Sequence, residues 1–394
     1  MLLYADYGIH TIELSMTKLK YSQVQRVNQQ LAERGKLIPL RESRDGTSKS
    51  IFFPEYIPGL SIRTYQSGSH SNGLSLKINP KAVLKGEYRP LELFNPTKKN
   101  CEMLIHRIMA AFENIGLKDL NDSLITEDRL SLSQLDLTMN LHFDDETGLQ
   151  ELIRLFRKSK VPAHFNRTKD ANYFCCSNGS VTIKAYDKVL ELRDKGHCPA
   201  AYQDLSILRF EVSMKRDKFI FAFDLSRDDT VYTMLSSAYD SALELLLSYL
   251  SKLFPVMAPH CRYEYTVNAI ESCDKKDKIK TRMQFLVEKT MKKKGLDEAI
   301  SFCKDKFHLN DEQIKRLLEA FCELNVNPIT LPNNSRINSI DPILRMYENL
   351  EKDKVLCPEI DDLYDVFLKA FRKNERELNR PRIISHEEFC KLGT

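Results

Sequence analysis

Residues 131–143 read Ser-Leu-Ser-Gln-Leu-Asp-Leu-Thr-Met-Asn-Leu-His-Phe, and along them apolar and polar side chains alternate. A period of two predicts a β-strand with one face against a core and an opposite face that carries Asp136 and His142. An acidic turn follows, and then an amphipathic helical pattern over about 147 to 158. The stretch therefore predicts a half-buried strand leading into a helix.

Two later segments repeat the alternation. In Val181-Thr-Ile-Lys-Ala-Tyr-Asp-Lys188, Lys184 and Tyr186 share the polar side, and in 206–215 Arg209 and Glu211 share it. If these strands join the first in one antiparallel sheet, their polar faces form a patch of carboxylates, a phenol and cations. A solvated face with cross-strand ion pairs is the alternative, for example Asp136 with Arg209 or Lys184.

The wider pattern predicts an α+β fold in two domains. Strands and helices alternate up to about residue 260, whereas the remainder has helical spacing. We expect residues 1–260 to form an α+β domain with an antiparallel sheet, and 261–394 to form a helical domain. Predicted helices lie at about 98–115, 230–253, 279–293, 296–305, 310–324, 341–351 and 360–373, with 230–253 the longest.

Composition sets limits on the class of protein. The chain has 394 residues, 42% of them hydrophobic and 29% charged, which is typical of a globular protein. No run of 18 or more apolar residues occurs, so we expect a cytosolic protein without a membrane partner. The ten cysteines include no Cys-x-x-Cys pair, so we expect reduced thiols rather than a zinc site.

A basic run gives a candidate DNA contact. The net charge is only +4, but Lys280, Arg282 and Lys292 to Lys294 lie within one short stretch. Contact with DNA phosphates is one interpretation, and an ordinary solvated helix face is the other. The next two predicted helices have the length of a helix-turn-helix, although most such pairs are simply packed helices.

The residue types on the polar faces suit phosphoryl transfer. A tyrosine oxygen can attack a backbone phosphorus while a 3′-hydroxyl leaves, and a divalent cation can stabilise the charge that develops. Carboxylates suit Mg²⁺ or Mn²⁺, because hard cations prefer oxygen ligands. Basic side chains beside the tyrosine would hold the phosphate and favour the ionised phenol.

Several segments resemble the filamentous-phage gene II/X family of rolling-circle replication initiators. They are Leu76-Lys-Ile-Asn-Pro-Lys-Ala-Val-Leu-Lys-Gly86, Leu132-Ser-Gln-Leu-Asp-Leu-Thr-Met139, Ala185-Tyr-Asp-Lys-Val-Leu-Glu-Leu192, Leu208-Arg-Phe-Glu-Val212 and Asn327-Pro-Ile-Thr-Leu-Pro-Asn-Asn334. Their order and approximate spacing agree with the family over about residues 74 to 350.

The resemblance implies that Tyr186 nicks one strand of a circular double-stranded origin and that residues 1–260 form an antiparallel-sheet nuclease domain like that of rolling-circle initiators. We expect Lys188 and Arg209 to be catalytic as well, and Lys184 to contact the DNA. A closing reaction would release a single-stranded circle. A host DNA polymerase and a Rep-type helicase would be the partners. Many rolling-circle initiators hold their cation with a His-hydrophobe-His motif, which this sequence lacks.

Any cation must therefore be held mainly by carboxylates. Asp136 and Glu211 are the first candidates, Glu191 is the third, and His142 is a further one if the strand alternation persists. The placement of Glu191 depends on whether residues 187–195 continue as strand or become helix. Two other functions stay open: a conjugative or mobilisation relaxase, and a DNA-binding regulator without enzymatic activity.

Overall fold

The computed structural model describes residues 2–35, 37–42, 48–67, 72–114, 130–168, 173–292, 295–342, 344 and 355–356. The strands are β1 (Leu2–Leu19), β2 (Ile38–Glu42), β3 (Ser48–Ile57), β4 (Leu60–Ser67), β5 (Asn72–Ile78), β6 (Ser131–Phe143), β7 (Asn166–Arg167), β8 (Phe174–Ser177), β9 (Val181–Asp187), β10 (Ser206–Lys215), β11 (His260–Cys261), β12 (Ser339–Ile340) and β13 (Val355–Leu356). The helices are α1 (Tyr21–Ala32), α2 (Pro80–Lys85), α3 (Lys98–Asn114), α4 (Glu146–Lys158), α5 (Lys188–Asp194), α6 (Arg216–Ala222), α7 (Val231–Asp240), α8 (Ala242–Leu253), α9 (Tyr263–Ser272), α10 (Asp277–Lys292), α11 (Leu296–Phe307) and α12 (Asp311–Glu323).

The fold is mixed α and β with antiparallel sheet, as the sequence predicts. The chain divides into two compact units, which interleave along the sequence. Unit 1 comprises Met1–Asp6, Met139–Glu211 and Glu244–Thr394, and unit 2 comprises Tyr7–Thr138 and Val212–Leu243. The division at residue 260 stays a prediction.

Unit 2 is built on strands β2, β3, β4, β5 and β1, which neighbour one another in that order. Each of these neighbours runs antiparallel, and Ile12 of β1 lies opposite Ile78 of β5. Helix α1 covers strands β4 and β5 with apolar residues three and four positions apart, which places them on one helix face. These buried residues are Val24, Val27 and Leu31.

In unit 1 the strands neighbour one another in the order β1, β6, β10, β9, β8 and β7. Strands β1, β6 and β10 contribute only the residues that fall within the ranges of unit 1. Helix α4 packs against β8 and β9. Its Phe156 lies at the centre of an aromatic cluster, with ring centroids 6.0 Å from Phe174, 5.8 Å from Phe210 and 5.0 Å from Phe254. This apolar side anchors β10 through Phe210, so the residues on either side of Phe210 point to the other face of the strand.

The predicted single helix over 230–253 is wrong. Two helices, α7 and α8, replace it, and Ser241 between them has φ −101° and ψ 4°. Asp240 and Ser241 both have side chains that compete with helical hydrogen bonding, which gives a local reason for the break. The apolar stripe continues from α7 into α8, so the periodicity of the apolar residues did not reveal the break.

Other predicted elements agree with the structure. The helices expected near 98–115, 279–293, 296–305 and 310–324 are α3, α10, α11 and α12, and Asn310 caps α12 by accepting a hydrogen bond from the Gln313 backbone N–H. The helices expected at 341–351 and 360–373 lie outside the described residues. In the described part of the chain, no helix combines the length and apolarity needed to cross a membrane.

Candidate active site on strands β9 and β10

Strand β9 presents two of the expected site residues on one side. Val181, Ile183 and Ala185 are buried, whereas Lys184 and Tyr186 are partly exposed. Apolar and polar side chains therefore alternate across β9 as the sequence predicts. The pleat leaves the phenol and the ammonium group side by side, two residues apart on one strand.

Strand β10 places a buried carboxylate against both of them. The Tyr186 hydroxyl donates a hydrogen bond to Oε2 of Glu211 at 3.3 Å, and Nζ of Lys184 lies 3.1 Å from Oε1 of the same carboxylate. The Glu211 side chain is only 6% exposed, whereas that of Lys184 is 37% exposed. Glu211 thus connects a buried polar interior to two partly exposed side chains.

Arg209 lies on the same face of β10 and is fully buried. Its Nε donates a hydrogen bond to Oδ1 of Asn140 on β6 at 2.8 Å. The alternation along residues 131–143 puts Asn140 on the strand face that carries Asp136 and His142. A buried guanidinium needs such partners because an unpaired charge inside the protein is costly.

Helix α5 begins at Lys188, two residues after Tyr186, and settles the position of Glu191. Asp187 caps the helix by accepting a hydrogen bond from the Leu190 backbone N–H at 2.9 Å, which stabilises its first turn. Residues 188–194 are therefore helical rather than extended. Nζ of Lys188 lies 2.7 Å from Oε2 of Glu191 and 5.9 Å from the centre of the Tyr186 ring. Lys195 binds the other Glu191 oxygen.

Arg209 favours the ionised form of Tyr186, as expected, but other effects outweigh it. Burial raises the pKa of Tyr186 well above its usual value, the negative charge of Glu211 raises it further, and the charge of Arg209 opposes these effects without overcoming them. The phenol is therefore neutral over the physiological pH range. Tyr186 needs a base before it can act as a nucleophile.

The charges around Tyr186 also shift the two other groups that could move a proton. Burial acts to raise the pKa of Glu211, but Lys184 and Arg209 outweigh it and hold that pKa below its usual value. Burial and the charge of Arg209 lower the pKa of Lys188 to about 8, although Glu191 acts in the opposite direction. Glu211 is therefore ionised, and Lys188 titrates near neutral pH.

A histidine and a carboxylate that local sequence patterns did not connect lie on β6 and β1 in unit 1. Nε2 of His142 lies 3.6 Å from Oδ2 of Asp6, and the His142 ring stacks on Tyr4 with centroids 4.0 Å apart. The sequence offered no signal for Asp6, because β1 is separated from β6 by more than a hundred residues. Only the pairing of the two strands brings them together.

The expected metal ligands do not fit a cation as they are paired here. Among the described residues, no group of three or more His, Cys, Asp or Glu side chains could hold a metal ion. Glu211 and Glu191 both bind lysine ammonium groups. Asp136 belongs to unit 2, where it is buried and accepts a hydrogen bond from Nε2 of Gln134 at 3.1 Å.

The predicted DNA-contact residues outside the sheet lie on or beyond α10. Nζ of Lys280 donates a hydrogen bond to the carbonyl of Glu271 at 2.8 Å, and Lys292 forms an ion pair with Glu288 at 2.6 Å. The Arg282 guanidinium lies 5.9 Å from the centre of the Phe307 ring. Lys293 and Lys294 lie outside the described residues.

Comparisons with known proteins give a structural likeness. No protein-family model matches the sequence, and no curated protein is significantly similar to it. The chain is similar to a solved structure described as a rolling circle replication initiator protein from Geobacillus stearothermophilus, at 11% sequence identity and a TM-score of 0.26. The match covers 71% of this chain and 91% of that one. A TM-score this low supports no conclusion about function.

Proposed function

We propose that this chain is a rolling-circle replication initiator that nicks one strand of a DNA origin through Tyr186. The observation that carries the proposal is the contact of one buried carboxylate, Glu211, with both the Tyr186 hydroxyl and the Lys184 ammonium group. A nucleophile, a base and a cation for the phosphate thus lie within one small region. The ordered segments that resemble the gene II/X family support the same function.

In the proposed reaction, the phenolic oxygen of Tyr186 forms a bond to a backbone phosphorus as the bond from phosphorus to the 3′ oxygen breaks. The phenolic proton passes to Glu211, and Lys188 donates a proton to the leaving 3′ oxygen. The products are a 5′-phosphotyrosyl strand and a free 3′-hydroxyl, which a host polymerase can extend. The reverse reaction rejoins a strand and frees the tyrosine.

Lys184 makes this proton transfer depend on DNA. In the free protein it stabilises ionised Glu211, which makes the carboxylate a weak base. A phosphate beside Tyr186 competes for the same ammonium group, and the pKa of Glu211 rises as Lys184 turns toward it. Arg209 is too deeply buried to touch DNA, and it acts as a positioning residue that holds Asn140 by a hydrogen bond. Its charge also helps to keep Glu211 ionised.

The proposal keeps a dependence on Mg²⁺ or Mn²⁺, with Glu211 or Glu191 as a ligand only once its lysine partner moves away. No step above runs through the cation, because Glu211 and Glu191 are paired with lysines. The proposed partners are a circular duplex origin, the single strand it yields, and a host helicase and polymerase. The proposed location is the cytoplasm of a bacterial host that carries the phage or plasmid.

The test is covalent capture of the tyrosine. Single-stranded oligonucleotides that tile the replicon are incubated with the protein and Mn²⁺, and the digest is searched by mass spectrometry for a nucleotide on the peptide containing Tyr186. Tyr186→Phe should abolish both the adduct and nicking of supercoiled replicon DNA, while Tyr249→Phe, on helix α8, should retain them. An adduct that persists in Tyr186→Phe would overturn the assignment.

Binding without any adduct on any tyrosine would instead favour a DNA-binding regulator. A relaxase would form the same tyrosyl adduct, but at a transfer origin. Nicking of the replicon at its replication origin, followed by extension from the new 3′ end, separates these two enzymes.

A further inference from the structure

Two phenylalanines and three cations meet on helices α10 and α11 of unit 1, away from the tyrosine in the sequence. We call this group the phenylalanine patch, and it consists of Arg282, Phe285, Lys289, Lys306 and Phe307. Arg282, Phe285 and Lys289 lie on one side of α10, because their spacings of three and four residues match the helical repeat. Lys306 and Phe307 lie at the end of α11.

A local turn fixes the position of Phe307. His308 adopts the left-handed conformation, with φ 52° and ψ 49°, and its backbone N–H donates a hydrogen bond to the Lys304 carbonyl. A residue in this conformation commonly ends a helix, so α11 stops directly after Phe307. The ring of Phe307 then meets that of Phe285 edge to face, with centroids 5.3 Å apart and planes at 85°.

Cations lie over both rings. Nζ of Lys306 is 4.3 Å from the centre of the Phe285 ring and 5.4 Å from that of Phe307, and Nζ of Lys289 is 5.0 Å from that of Phe285. The guanidinium carbon of Arg282 is 5.9 Å from the centre of the Phe307 ring. Both rings are half-buried, as are Arg282 and Lys289, and Lys306 is exposed, so solvent reaches the rings and the cations beside them.

The electrostatic balance of the patch is positive. Glu288 is the acidic side chain of α10 nearest in sequence to Phe285 and Lys289, and it is already paired with Lys292. The positive charges of Lys292, Lys289 and Lys306 contribute to a lowered pKa of Glu288, after the direct hydrogen bond from Lys292. An anion approaching the rings would therefore meet an excess of positive charge.

We propose that the phenylalanine patch binds single-stranded nucleic acid, with bases stacked on Phe285 and Phe307 and with Lys289, Lys306 and Arg282 on the phosphates. Flexible lysines can leave a ring face for a phosphate at small cost, and a base then takes the vacated face. The bases of a duplex are already stacked on one another, so only a single strand offers both groups together. The identification of the ligand as DNA rests on the proposed function, in which nicking and displacement produce such a strand.

The experiment measures binding directly and needs no nicking. Fluorescence anisotropy compares a labelled oligothymidine of about 15 nucleotides with an abasic strand of equal length and charge, in a Tyr186→Phe background. Phe285→Leu with Phe307→Leu should weaken oligothymidine binding about ten-fold or more and leave abasic-strand binding within about two-fold. Phe285→Tyr with Phe307→Tyr, which keeps both ring faces, should retain binding of both strands.

Charge removal should have a different effect. Lys289→Gln with Lys306→Gln should weaken binding of both strands and reduce the slope of log affinity against log salt by about 1.4, for two lost phosphate contacts. Lys304→Gln is the matched control, because that ammonium group on α11 is paired with Asp311 and its loss should leave both affinities unchanged.

Three outcomes would overturn the inference. One is unchanged oligothymidine affinity in the folded leucine variant, which would make the patch internal packing only. Another is equal affinity of the unmodified chain for oligothymidine and for the abasic strand. The third is an affinity for a polyglutamate peptide equal to that for oligothymidine. If circular dichroism shows that the leucine variant does not fold, the variant Lys289→Gln with Lys306→Gln decides. An unchanged salt slope in that variant would overturn the inference. Loss of strand binding here would leave the tyrosyl adduct test intact, so the two proposals can fail separately.

Discussion

The hydroxyl of Tyr186 on β9 donates its hydrogen bond to Oε2 of Glu211 on β10, 3.3 Å away. The donor has a raised pKa and the acceptor has a lowered one, so the proton stays on the phenol in the free protein. With the proton on the phenol, Tyr186 stays unreactive until the charges around Glu211 change. This protonation state, which we attribute to burial of the phenol and to the charge of Lys184, underlies the predictions below.

Glu211→Gln should lower the rate of nicking by about 100-fold to 1,000-fold, because an amide cannot accept the phenolic proton. The amide can still accept the hydrogen bond from Tyr186, so the geometry should persist. Single-turnover cleavage of a supercoiled replicon measures the rate, and binding of the same DNA should stay within a few-fold. Glu244→Gln, an exposed residue of α8, is the control. A Glu211→Gln protein that cleaves normally would remove Glu211 as the base.

The rate of nicking should fall as pH rises through about 8 if Lys188 protonates the leaving oxygen. The pKa of Lys188 is lowered to about 8, so the ammonium form is present below that pH and is lost above it. Lys188→Met should lower the rate and remove this decrease, while Lys188→Arg should move it to higher pH because a guanidinium stays charged. Identical pH profiles for the unmodified chain and Lys188→Met would contradict the role.

Lys184 and a divalent cation should compete for Glu211. The ammonium group lies 3.1 Å from Oε1, where a cation would have to bind. In Lys184→Met, Mn²⁺ should bind at least several-fold more tightly than in the unmodified chain, as measured by electron paramagnetic resonance or titration calorimetry without DNA. Lys195→Met, which removes a partner of Glu191, tests the other carboxylate in the same way. Unchanged Mn²⁺ affinity in both variants would argue against Glu211 and Glu191 as ligands.

Arg209→Met should destabilise the protein by about 3 kcal/mol, because it leaves the buried Glu211 with less compensating charge and the Asn140 side chain without its donor. Urea unfolding measures the change. The double variant Arg209→Met with Asn140→Leu should lose less stability than the two single variants added together. In each single variant one polar group stays buried after its partner is removed, whereas the double variant removes both groups. Additive effects would show that the contact between Arg209 and Asn140 contributes little.

Local sequence patterns determined which residues face the same side of each strand. Alternation along β9 was enough to place Lys184 with Tyr186, and alternation along β10 placed Arg209 with Glu211, because a strand turns its side chains to opposite faces with a period of two. Helical spacing likewise located α3, α10, α11 and α12. Strand alternation and helical spacing each depend on one continuous segment, so the sequence alone is enough to predict them.

The tertiary structure decided everything that depends on distance between segments and on burial. The pairing of β9 with β10 brings Tyr186 to Glu211, and the pairing of β1 with β6 brings Asp6 to His142, over separations along the chain that no local pattern records. The direction of the Tyr186 pKa shift also depended on the tertiary structure. Basic residues near Tyr186 in the sequence suggested a lowered pKa for the phenol. Burial raises that pKa instead, because removing a phenolate from water destabilises it more than the nearby positive charge stabilises it.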